Sequence, residues 1–181
     1  MNIGLDMDDV LVDLSSTWVE WLHNKYHLTV DKNDIKCWSM SKYFPLTDAQ
    51  IYEPLYTKSF WENVPPKSGS IEAFHELKAL GHTVKVITAS DYRTLVYKFN
   101  DCLFKWYDIS QKDVIVTKNK DWINCDLLCD DYQENLRNFS GVRVLMSAPY
   151  NEEAPQHLYD YKIDSLDQLI PIVDSLQKQL S

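Results

Sequence analysis

The apolar positions of this chain follow two alternating patterns. Short runs rich in β-branched and aliphatic residues recur at 3–5, 83–88 (TVKVIT), 114–117 (VIVT), 127–129 (LLC) and 142–146 (VRVLM). Compact runs of this kind predict strands buried on both faces. Ile163 adds a short edge strand. Between the runs, apolar residues recur at helical spacing: Trp18, Trp21, Leu22 and Tyr26, then Ile71, Phe74, Leu77 and Leu80, with Gly81 as a helix stop. Leu95, Phe99, Leu103 and Trp106 make another face, and Leu166, Leu169, Ile170, Val173 and Leu176 the last, with Pro171 bending that helix or sitting near its start. Thr47 with Gln50 and Ser165 with Gln168 both match a capping box. Strand alternating with helix is the signature of an α/β fold: a Rossmann-like parallel sheet flanked by helices.

The spacing is uneven. The first run ends at residue 5 and the second starts at 83, a gap far larger than those between the later runs. One crossover between parallel strands needs about a dozen residues or somewhat more. The excess predicts a small helical cap, residues 15–66, inserted after the first strand of a core made of 1–14 and 67–181. Such a lobe stands over the carboxyl ends of the strands, where open α/β sheets bind ligands.

Composition narrows the function. Hydrophobic residues are 45% of the 181, enough for a true core. The net charge of −9 is ill suited to coating a phosphate backbone, which argues against a nucleic acid polymer as partner. No apolar run approaches the roughly 20 residues of a membrane span. Carboxylates in the opening MNIGLDMDDV occupy the place where a secretory leader carries an apolar stretch. Cys37, Cys102, Cys125 and Cys129 form no CxxC pair, as expected of free thiols in a reduced, cytoplasmic setting. The oligomeric state stays open, with a homodimer as one option.

The chemistry sits where strands end. Asp6-Met7-Asp8-Asp9-Val10 follows the first run directly. On extended backbone, residues two apart share a side, so Asp6 and Asp8 face one spot. Carboxylates so close repel unless water or a cation intervenes, and a hard cation such as Mg²⁺ prefers their oxygens. By itself such a cluster is more often a solvated acidic turn. Asp126-Leu127-Leu128-Cys129-Asp130-Asp131 repeats the design. In a parallel sheet both strand ends lie on one edge, and together they make an acidic metal pocket. Thr88, with Ala89 and Ser90 after it, offers a hydroxyl and loop amides to a phosphate oxygen. Lys118 and Lys120 offer ammonium groups after the third run. Alone, each of these reads as an ordinary strand-end threonine or a solvated basic turn. His23 and His27 stand four apart on a helix but have no acidic third ligand nearby, so they read as surface or packed histidines. The chain has no HExxH, GxSxG or GxGxxG motif.

In chain order the strand-end residues read DxD, Thr, Lys and DD. That order resembles the haloacid dehalogenase-like phosphohydrolase superfamily, and within it the 5'(3')-deoxyribonucleotidase group. The start DMDxVL and the stretch TKNKDWINCDLLCDD carry the likeness. It covers most of the chain and is weakest over 15–66. The resemblance implies a phosphomonoesterase dependent on Mg²⁺. Asp6 is then the nucleophile that becomes an aspartyl phosphate, and Asp8 the general acid and base. Mg²⁺ is held by Asp6, the backbone carbonyl of Asp8, and Asp131, with Asp130 behind it. Thr88, Ala89, Ser90 and Lys120 hold the phosphoryl oxygens, Lys120 fitting the group's spacing better than Lys118. Trp38 and Trp61, with Phe60 beside the latter, are the aromatics of the lobe that the resemblance brings to a nucleobase, although core packing is the commoner fate of a tryptophan. Where the group has an aromatic soon after the first motif, this chain has Leu14. The implied substrate is a deoxyribonucleoside monophosphate, with a sugar phosphate or other small phosphomonoester as the alternative. A phosphorylated receiver also uses acids, Thr and Lys, but its second acid follows a different strand. A non-catalytic phosphate binder is the remaining rival, against which the four intact motifs speak.

Overall fold

In the computed structural model, which describes residues 1–37 and 39–180, six strands form one sheet. They are β1 (Asn2–Leu5), β2 (Thr83–Thr88), β3 (Val114–Val116), β4 (Leu127–Asp130), β5 (Val142–Met146) and β6 (Tyr161–Ile163). Every pairing is parallel and the order is β3-β2-β1-β4-β5-β6. The helices are α1 (Leu14–Tyr26), α2 (Asp48–Tyr52), α3 (Lys58–Trp61), α4 (Ser70–Ala79), α5 (Leu95–Tyr97), α6 (Phe104–Tyr107), α7 (Gln133–Leu136) and α8 (Leu169–Leu180). A π-helical segment, Lys98–Leu103, joins α5 to α6. Among the described residues no helix is long and apolar enough to cross a membrane.

Alternation along the strands sorts the core into two layers. Ile3, Leu5, Val84, Val86, Leu127, Cys129, Val144 and Met146 point to one face and meet Phe74 and Leu77 of α4 and Leu169 and Val173 of α8. Ile87, Leu128 and Leu145 point to the other and meet Leu136 of α7 and Phe139. Gly4 lies on this second face, where a β-carbon would come within 2.4 Å of Ile87 Cδ1. Both faces are covered, as a parallel sheet requires.

The chain between β1 and α4 is helical, with short 3-10 turns linking α1, α2 and α3. It leaves and rejoins the core side by side, through an antiparallel bridge between Val12 and Pro66. Its apolar residues Trp18, Leu22, Ile51, Phe60 and Trp61 belong to the same cluster as the first face of the sheet. Trp18 also anchors the segment internally, its indole donating to the Ile51 carbonyl at 2.7 Å. Thr47 and Gln50 form the expected capping box at the start of α2. Ser165 and Gln168 do not: Ser165 caps nothing, and Gln168 accepts instead from the Asp164 amide at 2.9 Å. A 3-10 turn, Leu166–Gln168, precedes α8, and Pro171 falls in the first turn of α8, where a missing N–H is harmless.

Candidate active site

The carboxyl ends of β1, β2, β3 and β4 lie side by side, and each delivers one part of a single site. The Asp6 amide donates to the Cys129 carbonyl at 2.9 Å, extending the β1–β4 ladder by one residue beyond β1. The chain then turns sharply. Leu11 and Val12 both donate to the Met7 carbonyl, and Asp9 takes the left-handed conformation at φ 55°. An aspartate tolerates that region when its side chain bonds locally. Here the Ser15 amide donates to Asp9 Oδ1 at 2.9 Å, and the Ser15 hydroxyl donates to Oδ2.

Lys120 stands at the centre of the site. It opens a 3-10 turn after β3 and is 2% exposed. Its ammonium lies 2.9 Å from Asp6 Oδ1 and 2.5 Å from Asp130 Oδ2. Burial alone would pull its pKa down, but the Asp6 and Asp130 carboxylates outweigh burial and hold it above the usual lysine value. Asp6 Oδ1 also accepts the Met7 amide at 2.7 Å, whereas Oδ2 has no partner among the described residues. Asp130 is fully engaged: Oδ1 accepts from the Tyr132 amide at 3.0 Å and Asn135 Nδ2 at 2.9 Å, while Oδ2 holds Lys120.

Asp131 has a different environment. It is buried, and its Oδ2 accepts the Tyr150 hydroxyl, with no cationic side chain in contact among the described residues. Burial first, then Asp130, Asp6 and Asp9, push its pKa well above the carboxylate range. One oxygen each from Asp6, Asp130 and Asp131 lie within 4.8 Å of one another. A buried all-carboxylate donor set with a negative excess fits a hard divalent cation, which would satisfy Asp131 as Lys120 satisfies Asp130.

Asp8 turns the other way, toward a residue that sequence reasoning did not single out. Its Oδ2 is 2.5 Å from Lys98 Nζ, and its buried Oδ1 has no hydrogen-bond partner among the described residues. Burial raises its pKa and Lys98 opposes the rise, with a net upward shift. Lys98, 4% exposed, also reaches the Ala89 carbonyl at 3.2 Å and Thr88 Oγ1 at 3.4 Å. The periodicity Leu95, Phe99, Leu103, Trp106 pointed to a different inward face. Of those four only Leu103 is fully buried, with Leu95, Phe99 and Trp106 half-buried; through the π-helical segment Thr94, Lys98, Cys102 and Tyr107 are the other buried positions. The i, i+4, i+8 spacing of Thr94, Lys98 and Cys102 was the available clue. Asp9 and Tyr150 were also missed as partners of the acid cluster.

The expected phosphate residues are brought together in part. Thr88 is fully buried at the end of β2, its hydroxyl on the Ala89 carbonyl at 3.3 Å. Ser90 bonds the Thr94 hydroxyl at 2.8 Å. Lys118 is exposed, and Lys120 is the lysine at the acids. Trp61 is packed at 1% exposure, its indole donating to the Leu55 carbonyl at 2.8 Å and its ring 5.3 Å from Lys98 Nζ. It meets the site through Lys98, without an open ring face for stacking. Phe60 is buried against it. Trp38 lies outside the described residues. His27 serves as the left-handed cap of α1 and His23 packs near Phe44.

A DxD turn after the first strand, a strand-end threonine, a buried lysine and a closing acid pair meet at one edge of this sheet. The fold matches that of a HAD family hydrolase from Deinococcus radiodurans R1, whose structure holds phosphate and sodium, at a TM-score of 0.65 and 12% identity, covering 96% of this chain and 95% of that one. The model of the family "5' nucleotidase, deoxy (Pyrimidine), cytosolic type C protein" matches residues 1–176, and the chain belongs to that family of phosphoric monoester hydrolases. It is 31% identical over 150 residues to a 5'(3')-deoxyribonucleotidase of Bacillus subtilis (strain 168), covering 82% of this chain and 86% of the relative. It is 29% identical over 152 residues to one of Clostridium acetobutylicum, covering 83% and 84%.

Proposed function

We propose that the protein hydrolyses deoxyribonucleoside monophosphates to nucleoside and phosphate, in the cytoplasm, through an aspartyl phosphate on Asp6. The observation that carries this reading is Lys120 fixed between Asp6 and Asp130, with Asp131 left without a cation. A phosphoryl group placed there meets a carboxylate nucleophile and an ammonium at once. A carboxylate nucleophile needs no activating base. Its Oδ2 forms the bond to phosphorus while the ester P–O bond breaks. The leaving alkoxide takes a proton from Asp8, whose burial favours the protonated acid. Asp8 then accepts a proton from the water that attacks the phosphoenzyme, and the bond from phosphorus to Asp6 breaks.

Lys120, the Thr88 hydroxyl and the loop of Ala89 and Ser90 neutralise and orient the phosphoryl oxygens. Asp6, the Asp8 backbone carbonyl and Asp131 would hold Mg²⁺. When bound, that ion neutralises the charge that gathers on the phosphoryl oxygens. The segment 15–66 acts as a cap on the core of 1–14 and 67–181, excluding water from the phosphoryl group. Trp38 and Trp61 belong to that cap, Trp61 as a packing neighbour of Lys98. The substrate is a small phosphomonoester.

The test is phosphate release from deoxyribo- and ribonucleoside monophosphates and sugar phosphates, with Mg²⁺ or EDTA. Turnover on deoxyribonucleotides that EDTA abolishes, and that Asp6→Asn removes without altering the far-ultraviolet spectrum, is the expected result. Turnover confined to sugar phosphates overturns the substrate. An active Asp6→Asn protein overturns the mechanism.

A further inference from the structure

Tyr150 enters the acid cluster from a part of the chain remote from all four motifs. It lies in the 3-10 turn Pro149–Asn151 that follows β5. The turn is fixed by Asn151, whose Nδ2 donates to the Asp131 carbonyl and to the Met146 carbonyl, both at 2.7 Å. The Tyr150 hydroxyl lies 3.0 Å from Asp9 Oδ2 and closer still to Asp131 Oδ2. A phenol has a single proton to give. Asp9 already accepts the amide and hydroxyl of Ser15, while the Asp131 carboxylate has no other donor among the described residues. The proton therefore goes where it is needed, to Asp131 Oδ2.

This arrangement leaves Asp131 with Oδ1 alone for a cation. Both oxygens of Asp130 already accept hydrogen bonds, from Lys120, Tyr132 and Asn135, which makes Asp131 the carboxylate with most freedom toward a cation. Ca²⁺ takes six to eight oxygens and commonly draws both from one carboxylate; Mg²⁺ takes six, one per carboxylate, and keeps several waters. We propose that Tyr150 sets the metal preference of the site, by occupying Asp131 Oδ2 and so holding Asp131 to one-oxygen ligation that suits Mg²⁺ over Ca²⁺. The inference rests on the reading of Asp131 as a metal ligand. Tyr150 is a positioning residue: it acts through Asp131.

Direct calorimetric titration of Mg²⁺ and Ca²⁺ into the protein, without substrate, tests it. The wild type binds Mg²⁺ more tightly than Ca²⁺. In Tyr150→Phe the ratio of the Ca²⁺ to the Mg²⁺ dissociation constant falls about tenfold, the lower end of what outer-shell changes do to metal affinity. Asp9→Ala, which keeps the hydroxyl on Asp131, leaves the ratio near the wild-type value. An unchanged ratio in Tyr150→Phe, equal affinities in the wild type, or an equal fall in Asp9→Ala each overturns the proposal while the metal site stands. Unimpaired binding by Asp131→Asn overturns the metal reading itself, and this proposal with it. Should Tyr150→Phe fail to fold, infrared difference spectra of wild type against Asp131→Asn decide. The wide carboxylate splitting of one-oxygen ligation with Mg²⁺ is expected, and the narrow splitting of two-oxygen ligation refutes it.

Discussion

Replacing Lys120 by methionine leaves two buried carboxylates without the ammonium that sits between them. The Lys120 side chain is 1% exposed and that of Asp130 is 0%, so water cannot take over the lost contacts at 2.5 and 2.9 Å. Removing one partner of a buried pair costs about 3–5 kcal/mol, mostly from the charge left behind. For a chain of this size each kcal/mol lowers the melting temperature by about 2–4 °C. Lys120→Met should therefore melt about 6–20 °C below the wild type in EDTA. The double variant Lys120→Met/Asp130→Asn removes the stranded charge and keeps the acceptor for Tyr132 and Asn135. It should recover a large part of that loss. Mg²⁺ should raise the melting temperature of each protein that still binds it, by mass action. Differential scanning calorimetry at pH 7 gives all four corners of the cycle. A coupling energy below about 0.5 kcal/mol, the range of independent sites, would refute the reasoning.

Two further outcomes follow from the geometry. Lys98→Met frees Asp8 Oδ2 from its contact in the structure, and turnover should fall about 10²-fold, the lower end of what an acid–base group contributes, with a smaller change in KM; steady-state kinetics showing an unchanged kcat would remove Lys98 from the site. Asp113 is held well below the usual carboxylate range, first by its hydrogen bond from Lys85, with Ser110 adding to it and burial opposing. Because its folded pKa is depressed, its stabilisation is present above the ordinary value of 3.8 and disappears as pH falls through the folded pKa. Asp113→Asn should melt about 2 °C lower than the wild type at pH 7, as befits a partly exposed pair, and the difference should narrow steadily as the pH falls below 3.8. A gap that widens on acidification would contradict the assignment.

The strands were legible because a parallel sheet covered on both faces must be built from uninterrupted apolar runs. All five runs and Ile163 fall on strands, β1 starting one residue early at Asn2, β3 stopping at Val116 short of Thr117, and β4 extending to Asp130. The strand-end acids, Thr88 and Lys120 were legible for a related reason: a parallel sheet collects its carboxyl ends on one edge, so order along the chain becomes proximity in space. What stayed hidden depended on geometry that sequence spacing does not encode. Lys98 was concealed by a π-helical segment, which shifts the inward face away from the i, i+3, i+4 pattern. Ser165 and Gln168 have the residue types of a capping box, yet Gln168 accepts from the Asp164 amide instead and the Ser165 side chain makes no capping bond. Tyr150 gave no signal, because its role arises from a side-chain contact with residues far away in the chain.

The position of β1 inside the sheet has a consequence for how the chain comes off the ribosome. The first strand to emerge pairs with β2 on one side and with β4, residues 127–130, on the other. Until that late segment is made, β1 keeps one open edge, of the kind that invites pairing with other chains. Asp6 likewise waits for Lys120, Asp130 and Asp131. A nascent chain therefore passes through a long interval in which it is exposed to misassociation and has no assembled site. Truncated products ending before β4 should be prone to aggregate and without phosphatase activity, so turnover reports that synthesis has run through the sheet's centre.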